Sequence, residues 1–148
     1  MRHSLWLPLL VLSLSASHGA DSRTVQVIAV DYALQAPDAL PAGSLRLAFA
    51  NHGRVAHEVV VGLLRPEAGK REMVAAGQQG LRLHDAPEHY LQGAPIGALF
   101  AWPGQASPGY LVVEARRGQR YALFCMFRDS LIAPEHAGMG MVRVLSIR

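Results

Sequence analysis

The chain has 148 residues, of which 51% are hydrophobic, and a formal net charge of +3. This length suits one domain that buries its own core, and so small a charge argues against binding nucleic acid or an anionic membrane surface. The single cysteine excludes an internal disulfide. In an oxidising compartment a lone thiol is buried and inert, used between chains, or held by a metal.

The first twenty residues have the layout of a secretory signal peptide. The basic residue Arg2 precedes an apolar run from Leu5 to about Ala16, and small residues follow. The run is shorter than the roughly 20 apolar residues that a membrane span requires. We therefore expect residues 1–20 to be removed on export to the periplasm, which leaves a single domain over 21–148. The alternative interpretation of residues 1–20 is a buried N-terminal helix.

The rest of the chain consists mainly of short β-strand patterns separated by turn signals. Alternating apolar residues and β-branched runs predict strands, and a turn cluster lies at 38–44. A helix is predicted over 65–80, and loops over most of 81–110. This order indicates an all-β sandwich with a short helical or loop insertion around 65–95. The predicted strands occupy 24–30, 45–51, 57–64, 97–102, 110–115, 121–127 and 141–147.

Candidate metal ligands lie close together near the C-terminus. Cys125 lies near the end of a predicted strand, His136 in the following loop, and Met141 at the start of the last strand. His57, where a turn enters a strand, can supply a fourth ligand. Each residue alone is more often part of a core or surface, but a thiolate, two imidazoles and a thioether together select copper. A His2Cys set with a weak axial methionine is the pattern of electron-transfer copper sites.

Two motifs resemble those of the cupredoxins, the small blue copper proteins of the plastocyanin and pseudoazurin type. "NHGRVAHEVVV" (51–61) resembles the family segment in which an asparagine-containing turn leads to the first copper histidine. "YALFCMFRDSLIAPEHAGMGMVRVL" (121–145) resembles the segment that carries the copper cysteine, the second histidine and the axial methionine. The resemblance implies a Greek-key cupredoxin sandwich that holds one copper ion, as Cu(I) or Cu(II). The implied ligands are His57, Cys125, His136 and Met141.

The loop between Cys125 and His136 is longer than in plastocyanin. Ten residues separate the two, which is more similar to a broader set of bacterial plastocyanin-like proteins. A longer loop allows a more tetragonal site, a more solvent-open site, or one that holds Cu(I) better than Cu(II). Met139 competes with Met141 as the axial ligand, although the family spacing favours Met141. Glu58 is a candidate to orient the loop that carries His136 through a hydrogen bond.

A second cluster of histidines offers another metal site. His84 and His89 could bind a metal at the surface with Asp85 or Glu88; the alternative is a solvated loop, in which Pro87 disfavours a helix.

Motifs for enzyme catalysis are absent from the sequence apart from one weak alternative. No Ser–His–Asp motif, phosphate-binding glycine loop or HExxH sequence is found. A nucleophilic Cys125 with His57 or His136 would leave the methionine spacing unexplained. We therefore expect a monomeric one-electron carrier that is not an enzyme and has a redox or copper-exchange protein partner, for which an acidic docking patch would suit the positive charge. The alternatives are a protein that stores or delivers Cu(I), and a metal-free interaction module of the same fold.

Overall fold

The computed structural model describes residues 22–148, so the predicted signal peptide at 1–20 lies outside the described residues. The described part forms two packed β-sheets with one α-helix in a connection between two strands. Within residues 22–148, no helix has the length and apolar character needed to cross a membrane. The elements are β1 Arg23–Val30, β2 Ala33–Gln35, β3 Ala39–Leu40, β4 Gly43–Asn51, β5 His57–Leu63, α1 Lys70–Gln78, β6 Gly97–Ala101, β7 Ala106–Ala115, β8 Arg120–Phe124 and β9 Val142–Ile147.

The two sheets are of mixed direction and enclose the main core. One sheet has the order β2-β1-β4-β7 and the other β3-β9-β8-β5-β6. β1 pairs parallel with β4 and β3 with β9, whereas the remaining pairs are antiparallel. Inward-facing side chains alternate along the strands, as Leu45, Leu47 and Phe49 do in β4, and they pack between the sheets. The all-β sandwich predicted from the strand pattern is confirmed.

The insertion between β5 and β6 covers the outer face of the second sheet. Met73 of α1 and Leu91 pack with Val60 and Phe124 in a second apolar cluster. Val59 and Val61 face the main core instead, so β5 is buried on both faces. This explains why β5 is a continuous β-branched run rather than an alternating one.

The boundaries of several elements differ from the sequence predictions. The helix begins at Lys70 rather than 65, because Pro66 and Gly69 precede it. A short 3-10 helix, Pro87–His89, forms where Pro87 was expected to disfavour one; proline is tolerated at a first helical position because it needs no donor there. The strand predicted over 121–127 ends at Phe124. The turn cluster at 38–44 also contains β3 and the start of β4.

Candidate metal centre

Three of the predicted ligands meet at one end of the sandwich. His57 begins β5, Cys125 follows β8 directly, and His136 begins a 3-10 turn, His136–Met139. All three are fully buried. The Cys125 Sγ atom lies 3.5 Å from Nδ1 of His136 and 4.0 Å from Nδ1 of His57, and the two Nδ1 atoms are 3.1 Å apart.

These separations suit a single metal ion. Bonds of about 2.0 Å to imidazole nitrogen and about 2.3 Å to thiolate sulfur place neighbouring ligand atoms roughly 3–4 Å apart. The three measured separations fall in that range. Among residues 22–148, this is the group of histidine, cysteine and acidic side chains whose ligand atoms converge closely enough to hold an ion. The donor set of one thiolate and two imidazoles suits copper.

Met141 lies with Cys125 in the buried core, whereas Met139 faces outward. Met141 is 0% exposed and packs in the same apolar cluster as Cys125, while Met139 is 42% exposed. The Met141 N–H donates to the His136 carbonyl at 3.0 Å, and the Cys125 N–H donates to the Met141 carbonyl at 3.2 Å. This arrangement favours Met141 over Met139 as the fourth member of the cluster.

Backbone hydrogen bonds and close packing hold the turn that carries His136. The His136 N–H donates to the Phe127 carbonyl, and the Ala137 N–H donates to the Cys125 carbonyl, both at 2.8 Å. Gly138 packs directly on Gly77 of α1, where a Cβ on Gly138 would lie 2.8 Å from the Gly77 carbonyl carbon. The insertion therefore supports the turn, and the close approach requires glycine at these positions.

Asn51 organises the turn that leads to His57. This fully buried side chain donates from Nδ2 to the carbonyls of Val55 and Ala101, at 2.8 and 3.0 Å. Its Oδ1 accepts a hydrogen bond of 2.8 Å from the N–H of Gly53. A Cβ at Gly53 would lie 3.0 Å from His57 Nε2, so the turn passes close to the imidazole. The asparagine-containing turn predicted ahead of the first histidine is thus built around one side chain.

The long loop between Cys125 and His136 closes the site rather than opening it. Phe127 packs 6.3 Å from the His136 ring, centroid to centroid, and His136 is inaccessible to solvent. Asp129, in the same loop, accepts a hydrogen bond of 3.0 Å from His136 Nε2 and another of 2.7 Å from the Tyr32 hydroxyl. The Nε2–H tautomer leaves the His136 Nδ1 lone pair free to face Cys125. The solvent-open alternative is therefore not what the structure shows.

The protonation states of the cluster follow from burial. Burial, and secondarily the neighbouring His136, lowers the pKa of His57, which keeps this imidazole neutral and able to act as a ligand. Burial raises the pKa of Cys125 to about 12, so without a metal the sulfur carries its proton at neutral pH. Metal binding as thiolate must then release that proton.

Two glutamates support the site, the half-buried Glu58 and the buried Glu135. Glu58 is predicted to orient the loop that carries His136, and its Oε1 accepts a 3.2 Å hydrogen bond from the N–H of Met126, the first residue of that loop. Glu135 accepts a 2.9 Å hydrogen bond from the Leu83 N–H and so ties the residue before His136 to the insertion. Burial raises the pKa of both carboxyl groups.

The other histidine cluster is not assembled into a site. Within residues 22–148, His84 and His89 do not converge with Asp85 or Glu88 as a metal-binding group. His89 instead packs edge-to-face on Tyr90, with ring centroids 6.2 Å apart.

Sequence reasoning missed three side chains that surround the centre, namely Asp31, Tyr32 and Asp129. A turn and a loop distant in sequence bring them together, and no local pattern marks them.

No protein-family profile matches the chain, and no curated protein matches it in sequence. Solved structures do match in fold. Auracyanin from Roseiflexus castenholzii aligns with a TM-score of 0.54 at 18% identity, over 86% of this chain and 98% of that one. Auracyanin A, a "blue" copper protein from Chloroflexus aurantiacus, aligns with a TM-score of 0.51 at 16% identity, over 84% of this chain and 98% of that one. An azurin from Methylomonas sp. strain J aligns with a TM-score of 0.51 at 13% identity, over 86% of this chain and 98% of that one. The chain therefore has the cupredoxin fold, and its buried cluster of His57, Cys125, His136 and Met141 is suited to one copper ion.

Proposed function

We propose that this protein carries single electrons on one copper ion held by His57, Cys125, His136 and Met141, and that it is not an enzyme. The observation that carries the proposal is the convergence of one thiol sulfur and two imidazole Nδ1 atoms within 4.0 Å of one another at a fully buried point. The cupredoxin fold of its structural neighbours supports the same function.

The roles of the individual side chains follow from chemistry and burial. When bound, copper supplies a one-electron couple between Cu(II) and Cu(I). Cys125 would bind as a soft thiolate, His57 and His136 as neutral imidazoles, and Met141 as a weak thioether ligand. The backbone hydrogen bonds around Cys125 and His136 hold the ligands in one arrangement, and burial excludes water. A rigid, dry site favours electron exchange because the ligands need to move little between oxidation states.

The experiment is a titration of the purified protein with Cu(II), followed by visible absorption, and then repeated reduction and reoxidation. We expect an intense thiolate-to-copper band that reaches its maximum at one equivalent and returns after each cycle with the copper content unchanged. A Cu(I)-selective chelator present during the reduced phase tests the alternative function. Rapid loss of copper to the chelator, without a recoverable band, would favour Cu(I) delivery. No copper bound in either oxidation state would overturn the proposal.

We further propose that the protein works in the periplasm after loss of residues 1–20. The support is the basic start, apolar run and small-residue end of that segment. Intact mass spectrometry of protein from the periplasmic fraction of an expressing bacterium should give a chain beginning at about residue 21. A full-length mass, or protein confined to the cytoplasm, would contradict this localisation.

We propose that a protein redox partner docks on an aromatic surface beside the centre, made of Phe100, Trp102 and Phe127. Trp102 is 58% exposed and packs edge-to-face on Phe100 at 5.1 Å between centroids. Phe100 lies 5.7 Å from Phe127, which in turn contacts the His136 ring. Exposed aromatic clusters favour protein contacts, and the positive charge of the chain suits a partner with an acidic patch.

A second copy of the protein can serve as the probe of this aromatic surface. In Trp102→Ala, we expect electron self-exchange between reduced and oxidised copies, measured by NMR line broadening, to slow about tenfold or more. Truncation of a central interface tryptophan commonly costs about 2 kcal/mol, and each 1.36 kcal/mol changes a rate about tenfold. Tyr110→Ala is the matched control, because Tyr110 is similarly exposed, at 52%, but lies on β7 in the other sheet, against Arg46. Equal effects of the two substitutions would reject this docking surface.

A further inference from the structure

Each of the two buried histidines has an aspartate next to its Nε2 atom. His136 Nε2 lies 3.0 Å from Asp129 Oδ1 and donates a hydrogen bond to it. His57 Nε2 lies 3.6 Å from Asp31 Oδ1, too far for a hydrogen bond, and has no other hydrogen-bond partner among the described residues. In both histidines, Nδ1 therefore faces Cys125, and the aspartate lies on the opposite side of the ring, next to Nε2.

The negative charges of the two aspartates are balanced differently. Asp31 accepts hydrogen bonds of 2.7 Å from both the backbone N–H and the Nε of Arg54, so a guanidinium offsets its charge. Asp129 accepts its second hydrogen bond from the neutral Tyr32 hydroxyl. Within residues 22–148, no lysine or arginine forms an ion pair with Asp129. The charge of Asp129 consequently acts mainly on His136.

Tyr32 holds Asp129 from the chain segment between β1 and β2. It has a left-handed backbone, with φ of 62°, which is rare for a residue with a side chain. Its ring lies edge-on to both imidazoles, 5.1 Å from the His136 centroid and 6.4 Å from that of His57. The strained turn thus places one phenol where it covers the centre and reaches the Asp129 carboxylate.

Resting on the copper function proposed above, we infer that Asp129 is a positioning residue that lowers the reduction potential of the bound copper, and that the Tyr32 hydroxyl limits this effect. A carboxylate that accepts the Nε2–H bond makes the imidazole a stronger donor and fixes its tautomer. Its negative charge also favours the more highly charged Cu(II) over Cu(I); the buried His136 transmits this effect, while water partly screens the Asp129 side chain, which is 36% exposed. The Tyr32 hydrogen bond withdraws part of that charge from His136.

The test compares Asp129→Asn, Tyr32→Phe and the control Asp38→Asn by voltammetry of the copper-loaded protein, in which the electrode supplies and takes up the single electron. Asparagine keeps an acceptor for His136 but removes the charge. We expect Asp129→Asn to change the ratio of Cu(II) to Cu(I) affinity at least tenfold in favour of Cu(I), a rise of 59 mV or more for a one-electron couple. Tyr32→Phe should move the potential in the opposite direction. Asp38 pairs with Arg143, and its carbonyl accepts the N–H of Ser146 near the C-terminal end of β9, so Asp38→Asn should leave the potential unchanged.

The visible spectrum separates failure of this inference from failure of the copper function. If the wild-type protein shows no thiolate-to-copper band, the proposed function fails and the inference fails with it. If the band is present, an Asp129→Asn potential within the range of the Asp38→Asn control overturns the inference alone. A shift of Tyr32→Phe in the same direction as Asp129→Asn also overturns it, because general loosening of the centre would move both alike. Tyr32→Phe keeps the test decisive if Asp129→Asn does not fold.

Discussion

Substitution of Cys125 by serine should abolish the thiolate-to-copper absorption band completely and lower copper affinity by at least about 100-fold. In the proposed copper site the sulfur is the soft ligand, and even outer partners of metal ligands are commonly worth about 10–100-fold in affinity. Serine differs from cysteine by one atom and keeps the backbone hydrogen bonds between Cys125 and its neighbours Ala137 and Met141. Far-ultraviolet circular dichroism should therefore report an intact sandwich.

Proton release gives a second, independent readout of the same substitution. Because burial raises the pKa of Cys125 to about 12, copper binding to the wild-type protein at pH 7 should release about one proton per ion from this group. Copper affinity should accordingly rise with pH below that pKa, since protons compete with the metal for sulfur. Calorimetry in buffers of different ionisation enthalpy measures the release, and Cys125→Ser should show none from this position. Met139→Leu is the control and should behave as wild type. A band that persists in Cys125→Ser would show that the sulfur is not a ligand.

Replacing Asn51 by alanine should destabilise the copper-free protein by about 3 kcal/mol, since three hydrogen bonds are lost at about 1 kcal/mol each. The substitution leaves the Val55 and Ala101 carbonyls and the Gly53 N–H without their present partner. The turn before His57 should loosen as well, so copper affinity should fall together with stability. Urea denaturation followed by circular dichroism measures the free energy of unfolding.

The neighbouring exposed residue His52 provides the control for Asn51. His52 contributes a backbone hydrogen bond to Ala29, which an alanine side chain retains. His52→Ala should therefore change the free energy of unfolding by no more than about 0.5 kcal/mol, as is usual for surface substitutions. If Asn51→Ala is as stable as His52→Ala, the Asn51 hydrogen bonds do not hold the turn.

Much of the sandwich was predictable because one face of most strands meets the core. The alternation of Leu45, Leu47 and Phe49 marks β4 without reference to any other part of the chain. The two short strands β2 and β3 have only three and two residues, too few to show a period. Their pairing with β1 and β9 depends on where those longer strands lie.

The insertion shows the same dependence on distant contacts. Its helix was predicted, but its place on the outer face of the second sheet was not, because Met73 and Leu91 acquire their partners only when β5 and β8 are adjacent. That packing also presses Gly77 against Gly138 and supports the turn of His136. The insertion was therefore predicted mostly as loops, although it supports the turn that carries His136.

Residue type, spacing along the chain and the family resemblance predict the four candidate copper ligands, and the structure brings His57, Cys125 and His136 together. The sequence contains a single cysteine, so the order of His57, Cys125, His136 and Met141 around it carries information, and the chemistry of each group is a property of its side chain. The surroundings of those ligands could not be predicted in this way. Tyr32 and Asp129 are 97 positions apart, and their hydrogen bond exists because the turn after β1 meets the loop before His136. Charge, burial and hydrogen bonding around the centre depend on such contacts, so folding, rather than any local motif, sets how the site is closed and how its ligands are held.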